Sequence, residues 1–383
     1  MKNRIYLDHA ATTPVSDSVL SAMLPFFADR YGNASSVYST GRDARKAIEI
    51  ARRQTAAAIG AESREILFTC GGSESDNLAI KGAAFAMKCK GNHIITTAIE
   101  HPAVLNTCRW LEKQGFAVTY LLPDREGRIS PDEVRNAIKD ETILISVMAA
   151  NNEIGTIEPV AEIGSIARQR GIIFHTDAVQ AVGAINVNVN TFNADMLSLS
   201  AHKFNGPKGS GALFVRRGTK IESLIHGGEQ ERGLRAGTEN VPAIVGMGKA
   251  IEEAAEKLID NTDRTTRLRD RMMTGILSSV TGVRLNGPTA ERLPNNCSFC
   301  FEQIDGEALL LRLDLAGIAA SSGSACTAGS QEVSHVLRAI GLTEQEAKGS
   351  LRLTVGYENT EEEIDEAVHA VKEIVEDLRS MFH

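Results

Sequence analysis

The chain has 383 residues, 43% of them hydrophobic and 23% charged, with a formal net charge of -8. This globular composition excludes disordered, collagenous and disulfide-rich classes, and at the ~150 residues of a typical domain the length fits one large domain with one or two smaller pieces. The negative total opposes a broad phosphate-binding face, so nucleic acid is not expected as a direct ligand.

Residues 1–10 reach Asp8 before any apolar run long enough for a signal peptide. The apolar stretch 308–320 is broken by Arg312 and Asp314, short of the ~20 residues a membrane span needs, so a cytoplasmic location is the expectation. Residues 42–59 predict a helix, with Ala44, Ala47, Ile48, Ala51 and Ala58 on its apolar side and Gly60 as its stop. Short β-branched runs at 66–69, 94–97, 118–122, 143–148, 172–174, 196–199 and 212–215 alternate with helical patterns, which predicts an α/β fold with a mainly parallel sheet. Residues 249–280 read as one long charged helix leading into a second domain. The segment 321–330, SSGSACTAGS, reads as a mobile loop whose reactive group is Cys326. A last helix is capped by Thr360 with Glu363, and its stripe Ile364, Val368, Val371, Val375 and Leu378 faces a core.

The other cysteines are Cys70, Cys89, Cys108, Cys297 and Cys300. They make no disulfide framework, and the pair Cys297 and Cys300 lies in an alternating strand-like run without a second pair, so it reads as structural. No histidine pair has metal-ligand spacing, and no resident metal is expected.

Polar groups follow three strands directly: Asn151 and Asn152, then Asp177 and Gln180, then Ser200, His202 and Lys203. In open α/β sheets the crevice beyond the strands' carboxyl ends binds ligands. Upstream, a strand runs into Gly71, Gly72, Ser73 and Ser75 at a helix start, where free amides and the helix dipole suit a phosphate; a simple serine cap is the equal alternative. A phosphate cradle, a strand-end carboxylate and a strand-end lysine together are the parts that hold pyridoxal phosphate.

The segment SAHKFNGPKGSG at 200–211 resembles the cofactor-lysine segment of the cysteine desulfurases, fold-type I pyridoxal phosphate enzymes of the class-V aminotransferase family. Further motifs agree in order: YLDHAATTP, GNASS, CGGSESDN, EHPAV, NNEIG and HTDAVQ before it, and GGEQERGLRAGT, SSGSACT and LRLTVG after it. SSGSACT with VLRAIGL at 336–342 resembles the NifS/IscS-like branch that serves iron–sulphur cluster assembly and tRNA thiolation. Ala34 and Tyr38 depart from the family pattern, which often has Pro and His there. The chain also stops at His383 without the longer tail of some relatives.

The resemblance implies Lys203 as the Schiff-base lysine, His101 stacked on the cofactor, Asp177 on the ring nitrogen and Gln180 on the ring hydroxyl oxygen. Gly72, Ser73, Ser200 and His202 would hold the phosphate, with Thr238 arriving from the other subunit of a homodimer. Asn152, beside the cofactor, and Arg352 would hold the substrate carboxylate. Cys326 would be the nucleophile that takes sulphur from L-cysteine, leaving L-alanine, and passes it to an acceptor protein, either an iron–sulphur scaffold or a tRNA thiolase; a cluster on that partner would be its only metal, held transiently. It further implies a large cofactor-binding domain over 14–255 and a smaller α+β domain from 1–13 and 256–383, carrying the cysteine loop at about 321–334. Two alternatives stay open at this stage. A selenocysteine lyase or other β-eliminating enzyme would share the scaffold. Ser200 to Lys203 as S-x-x-K with Ser75-Asp76-Asn77 spells two marks of penicillin-recognising enzymes, though in the wrong order and with no K-T-G.

Overall fold

The computed structural model describes residues 4–322 and 333–381. The main sheet has seven strands in the order Ile66–Thr69, Gly211–Val215, Met196–Ser200, Ile173–Asp177, Thr142–Ser146, His93–Thr97 and Ala117–Leu121. They are the strands the apolar runs predict, with small shifts at their ends. Thr142–Ser146 and Met196–Ser200 are buried at every position because helices cover both faces, whereas the edge strand Ala117–Leu121 is half exposed. Gly211–Val215 runs antiparallel to both neighbours; the other pairs are parallel. The reversal has a local cause. Between Ser200 and Gly211 the chain forms only the short 3-10 turn Ala201–Lys203, and without a crossover helix a strand can return only antiparallel.

Helix Gly72–Met87 covers one face, its Ala79, Ile80, Ala83 and Ala84 joining Ile94, Leu144, Met196 and Leu213 in one core. On the other face Phe174, Leu197 and Phe214 pack with helices Ser39–Ala58, Val160–Gln169 and Val241–Glu256. Ser39–Ala58 and Val241–Glu256 approach so closely that a Cβ on Gly248 would fall 2.6 Å from the Ala51 Cα.

A second core lies around the antiparallel sheet Ser350–Thr354, Asn296–Phe301 and Val283–Leu285, with helices Leu258–Ser279, Gly306–Leu315 and Glu361–Ser380. The start of the chain belongs to it: Ile5 and Leu7 are buried there, and Ile5–Tyr6 pairs in parallel with Ile318–Ala319. The last helix carries the predicted capping box of Thr360 and Glu363.

The stretch 249–280, expected as one helix, is two, Val241–Glu256 and Leu258–Ser279, broken at Lys257 (φ -99°, ψ 9°). Packing explains the break: Ile251 belongs to the core under the main sheet and Leu268 to the second core, and the chain must turn to serve both. Asn296–Phe301, expected to alternate, is buried at every position. Cys297 and Phe299 enter the second core, while Cys300 meets Val336, Leu337 and Ile340 on the opposite face. Among the described residues no helix is long and apolar enough to cross a membrane.

Candidate active site

The parallel strands end along one edge of the sheet, and their carboxyl ends deliver polar residues to a cavity of about 430 Å³. Every in-chain contact expected from the sequence lines it: Gly72, Ser73, His101, Asn152, Asp177, Gln180, Ser200, His202, Lys203 and Arg352. Thr238, expected from a second subunit, does not line this chain's cavity, and Cys326 lies outside the described residues.

The cradle end forms where Ile66–Thr69 turns into helix Gly72–Met87. Gly72 sits so close to Val179 that a Cβ there would fall 2.7 Å from Val179 Cγ2, and Ser200 lies against the same glycine. Amides at the helix start beside the Ser200 hydroxyl make an anion site. Ser75, grouped with these residues in the sequence reading, is instead buried. Its hydroxyl bonds Thr69 Oγ1 at 2.8 Å and donates to the Gly71 carbonyl, so it braces the turn. His202 Nδ1 meets Thr12 Oγ1 at 3.2 Å, and burial with Lys203 and Lys208 nearby pushes its imidazole down to about 4, leaving it neutral.

Asp177 closes strand Ile173–Asp177 and accepts the Val179 amide at 2.9 Å. Burial raises its carboxyl, opposed by nearby His101 and Lys203. His101 caps helix Pro102–Glu112 by accepting the Ala103 amide on Nδ1 at 3.1 Å. Burial, with Lys203 and His335 adding to it, lowers the imidazole against the pull of Asp177, so the neutral ring carries its proton on Nε2. Lys203 donates from Nζ to the carbonyl oxygens of Ala10 and Ala11, and Gln180 Nε2 donates to the same Ala10 oxygen at 3.0 Å. Arg352, 2% exposed between Leu351 and Leu353, donates to Asp8 Oδ1 at 2.8 Å and to the Asn152 carbonyl at 3.0 Å. Asn151, in contrast, is structural: it takes the amides of Glu153 and Ile154 and donates to the Ile99 carbonyl.

Sequence reasoning missed the part played by residues 8–13. Asp8 meets Arg352, the Ala10 and Ala11 carbonyls meet Lys203, and Thr12 meets His202. The one carboxylate in YLDHAATTP was the available signal; the carbonyls had none, since any residue carries one. Asp76 also lines the cavity unannounced.

The described ends of the segment holding Cys326 are tied beside this cavity. Ser321 and Arg352 exchange backbone hydrogen bonds at 3.2 and 2.6 Å. Ser334 donates to the Glu153 carboxylate, and His335 Nε2 to the Glu100 carbonyl at 2.9 Å. Burial pushes the thiols of Cys300 up to about 11 and of Cys108 and Cys297 up to about 12, and exposed Cys70 rises to about 11 through partial desolvation and the Glu74 carboxylate beside it, which leaves them poor nucleophiles. Among the described residues no group of three or more His, Cys, Asp and Glu is arranged to hold a metal.

The donor set fits pyridoxal phosphate: helix-start amides with Ser200 for a phosphate, a buried carboxyl for a pyridinium nitrogen, and an amine within the same cavity. Fold and site thus define a fold-type I pyridoxal phosphate enzyme. The chain belongs to the class-V aminotransferase family, whose model matches residues 5–367. It is 55% identical over 377 residues to the cysteine desulfurase IscS of Methanosarcina thermophila, covering 98% of this chain and 93% of that protein. To the cysteine desulfurase IscS of Dictyoglomus turgidum it is 53% identical over 381 residues, covering 100% and 97%. A solved NifS-like protein superposes with a TM-score of 0.92 at 38% identity, covering 98% of this chain and 100% of that one.

Proposed function

We propose that this enzyme, a pyridoxal-phosphate-dependent cysteine desulfurase, leaves L-alanine and a persulfide on Cys326. The observation that carries the reading is the meeting in one cavity of Lys203, Asp177, His101 and Arg352, from four elements remote in sequence.

Pyridoxal phosphate, when bound, supplies an electron sink conjugated to the substrate's α-carbon. Gly72, Ser73, Ser200 and His202 would hold its phosphate, Asp177 its ring nitrogen and Gln180 its ring hydroxyl oxygen, with His101 against its face. Arg352, held by Asp8, presents a guanidinium fork suited to the L-cysteine carboxylate, with Asn152 beside it. Lys203 Nζ moves the α-proton, and His101 serves as the proton carrier for the substrate thiol. The Cys326 thiolate attacks the substrate sulphur; an S–S bond forms as the substrate's C–S bond breaks, and L-cysteine plus the Cys326 thiol becomes L-alanine plus the persulfide. The anchoring of Ser321 and Ser334 beside the cavity supports Cys326 in this role.

The finer reading is a homodimer in which Thr238 serves the other subunit's phosphate site. The persulfide passes in the cytoplasm to an acceptor protein, an iron–sulphur scaffold or a tRNA thiolase. The division into 14–255 and 1–13 with 256–383 draws support from the hydrophobic clusters on the two faces of the main sheet, which share no residue with the one around the antiparallel sheet. A fourth cluster, with Ile99, Met148 and Ile154 against Cys300, Val336 and Leu337, packs the two parts together.

The test is an absorption spectrum of the purified protein before and after L-cysteine, with alanine and sulphide assayed with and without reductant. Equal alanine and sulphide are expected, the sulphide appearing only with reductant. Cys326→Ala should keep the cofactor band and lose sulphide; unchanged turnover would remove Cys326 from the mechanism.

A further inference from the structure

The turn that delivers His101 is held from two remote segments of the chain. Glu100, the residue before it, is wholly buried, and its Oε1 accepts the Thr97 hydroxyl and the Met148 amide, each at 2.9 Å. Its carbonyl oxygen accepts a hydrogen bond from His335 Nε2, 235 residues further along the chain, at 2.9 Å. A buried carbonyl requires such a partner, and since a carbonyl only accepts, His335 Nε2 carries a proton here in either charge state. His335 is itself fixed. It opens helix His335–Ala339, whose cap Ser334 accepts the Val336 and Leu337 amides at 3.1 and 3.2 Å while donating to the Glu153 carboxylate. Val336 and Leu337 share a buried cluster with Ile99, the residue before Glu100.

We propose that His335 is a positioning residue for His101. The Glu100 carbonyl shares one rigid peptide plane with the His101 amide and Cα, so a hydrogen bond on that oxygen sets the direction in which His101 leaves the turn. Beyond it, the Ala103 amide on Nδ1 at 3.1 Å fixes the ring, and His101 lines the cavity. A ring that must lie against the cofactor and reach the substrate thiol tolerates little displacement, since a misplacement of about 1 Å can cost about 100-fold in rate. His335 thereby ties the place of His101 to the helix that follows the Cys326 segment. The inference rests on the reading of His101 as the proton carrier for the substrate thiol.

The experiment compares His335→Leu, His335→Gln, His101→Ala and the double variant His335→Leu with His101→Ala in the holoenzyme. Alanine formation from L-cysteine is followed with reductant present, and the visible circular dichroism of the bound cofactor reports the ring beside it independently of turnover. His335→Leu keeps the bulk but loses the donor, so kcat should fall about tenfold with the KM for L-cysteine within about twofold, and the cofactor's dichroism should change. His335→Gln keeps a donor and should stay within about threefold of the unmodified protein. In the His101→Ala background His335→Leu should cost nothing further, because a residue that acts only through His101 has nothing left to position. A full tenfold loss in that background, a Gln variant as slow as Leu, or a raised KM with kcat unchanged would each overturn the proposal. If His335→Leu does not fold, His335→Ala takes its place with the same expectations. His101→Ala separates the two levels: full kcat there removes the reading of His101 itself, whereas loss there with none in His335→Leu removes only the positioning by His335.

Discussion

Arg352 places a guanidinium almost wholly out of water, and such burial is tolerable only with partners. Asp8 and the Asn152 carbonyl supply them before any substrate carboxylate arrives. Arg352→Lys keeps the charge but loses the planar fork, so the KM for L-cysteine should rise about 10- to 100-fold, the loss of one or two charge-assisted hydrogen bonds. Steady-state kinetics check this; a fall in kcat with KM unchanged would take Arg352 away from substrate binding. Gly72 is a second residue whose role is spatial. Gly72→Ala would drive a Cβ against the stiff Val179 side chain and should weaken cofactor binding more than folding. Adding Val179→Ala should restore part of that affinity in a cofactor titration. The sequence marked both residues, Gly72 through its place between a strand and a helix and Arg352 through the family likeness. It did not mark Asp8 as the arginine's counter-ion, because the two meet only when the start of the chain joins the second core.

At the scale of elements, the turn Gln230–Gly233 holds Glu231 and Arg232 in left-handed conformations, φ 45° and 60°. It survives because Glu231 is gripped from outside: Arg52 donates to its two oxygens at 2.7 and 2.8 Å, and the Phe68 amide donates at 3.1 Å. Arg52 thus ties helix Ser39–Ala58 to strand Ile66–Thr69 and to the segment leading to Thr238. Arg52→Met would leave a buried carboxylate unpaired and should cost about 3–5 kcal/mol of stability, measured by urea denaturation. Arg52→Met with Glu231→Gln should recover much of it. Hydropathy could not reveal this turn, since the ion pair that offsets its strain joins residues far apart in the chain. The long charged stretch 249–280 misled for a related reason: helix periodicity continues across Lys257, and only the two cores demand the break.

Over the whole molecule, several acids are buried in their neutral form. Burial pushes Glu158 up to about 8 and holds Glu100 and Asp76 well above the usual carboxylate range. In the unfolded chain such groups ionise near ~4.3, so between that pH and about 8 the unfolded state binds fewer protons than the folded one. Stability should therefore fall as pH rises through that window. Glu158→Gln should reduce the slope, stabilising the protein at pH 7 by up to a few kcal/mol and leaving it unchanged below about pH 4, as thermal or chemical unfolding across pH would show.

Much was legible in the order of residues alone. Seven apolar runs specify seven strands because a sheet covered on both faces requires continuous hydrophobicity, and the residues after those runs reach the cavity because parallel strands end on one side. Lys203 and Asp177 were readable for that reason, and His101 through the family likeness. Tertiary structure alone decided which polar groups hold the cations and which carboxyls stay neutral. Asp8 on Arg352 and the Ala10 and Ala11 carbonyls on Lys203 are contacts between remote segments. Charge state depends on burial and on neighbours within a few ångströms, and neither exists until the chain has folded.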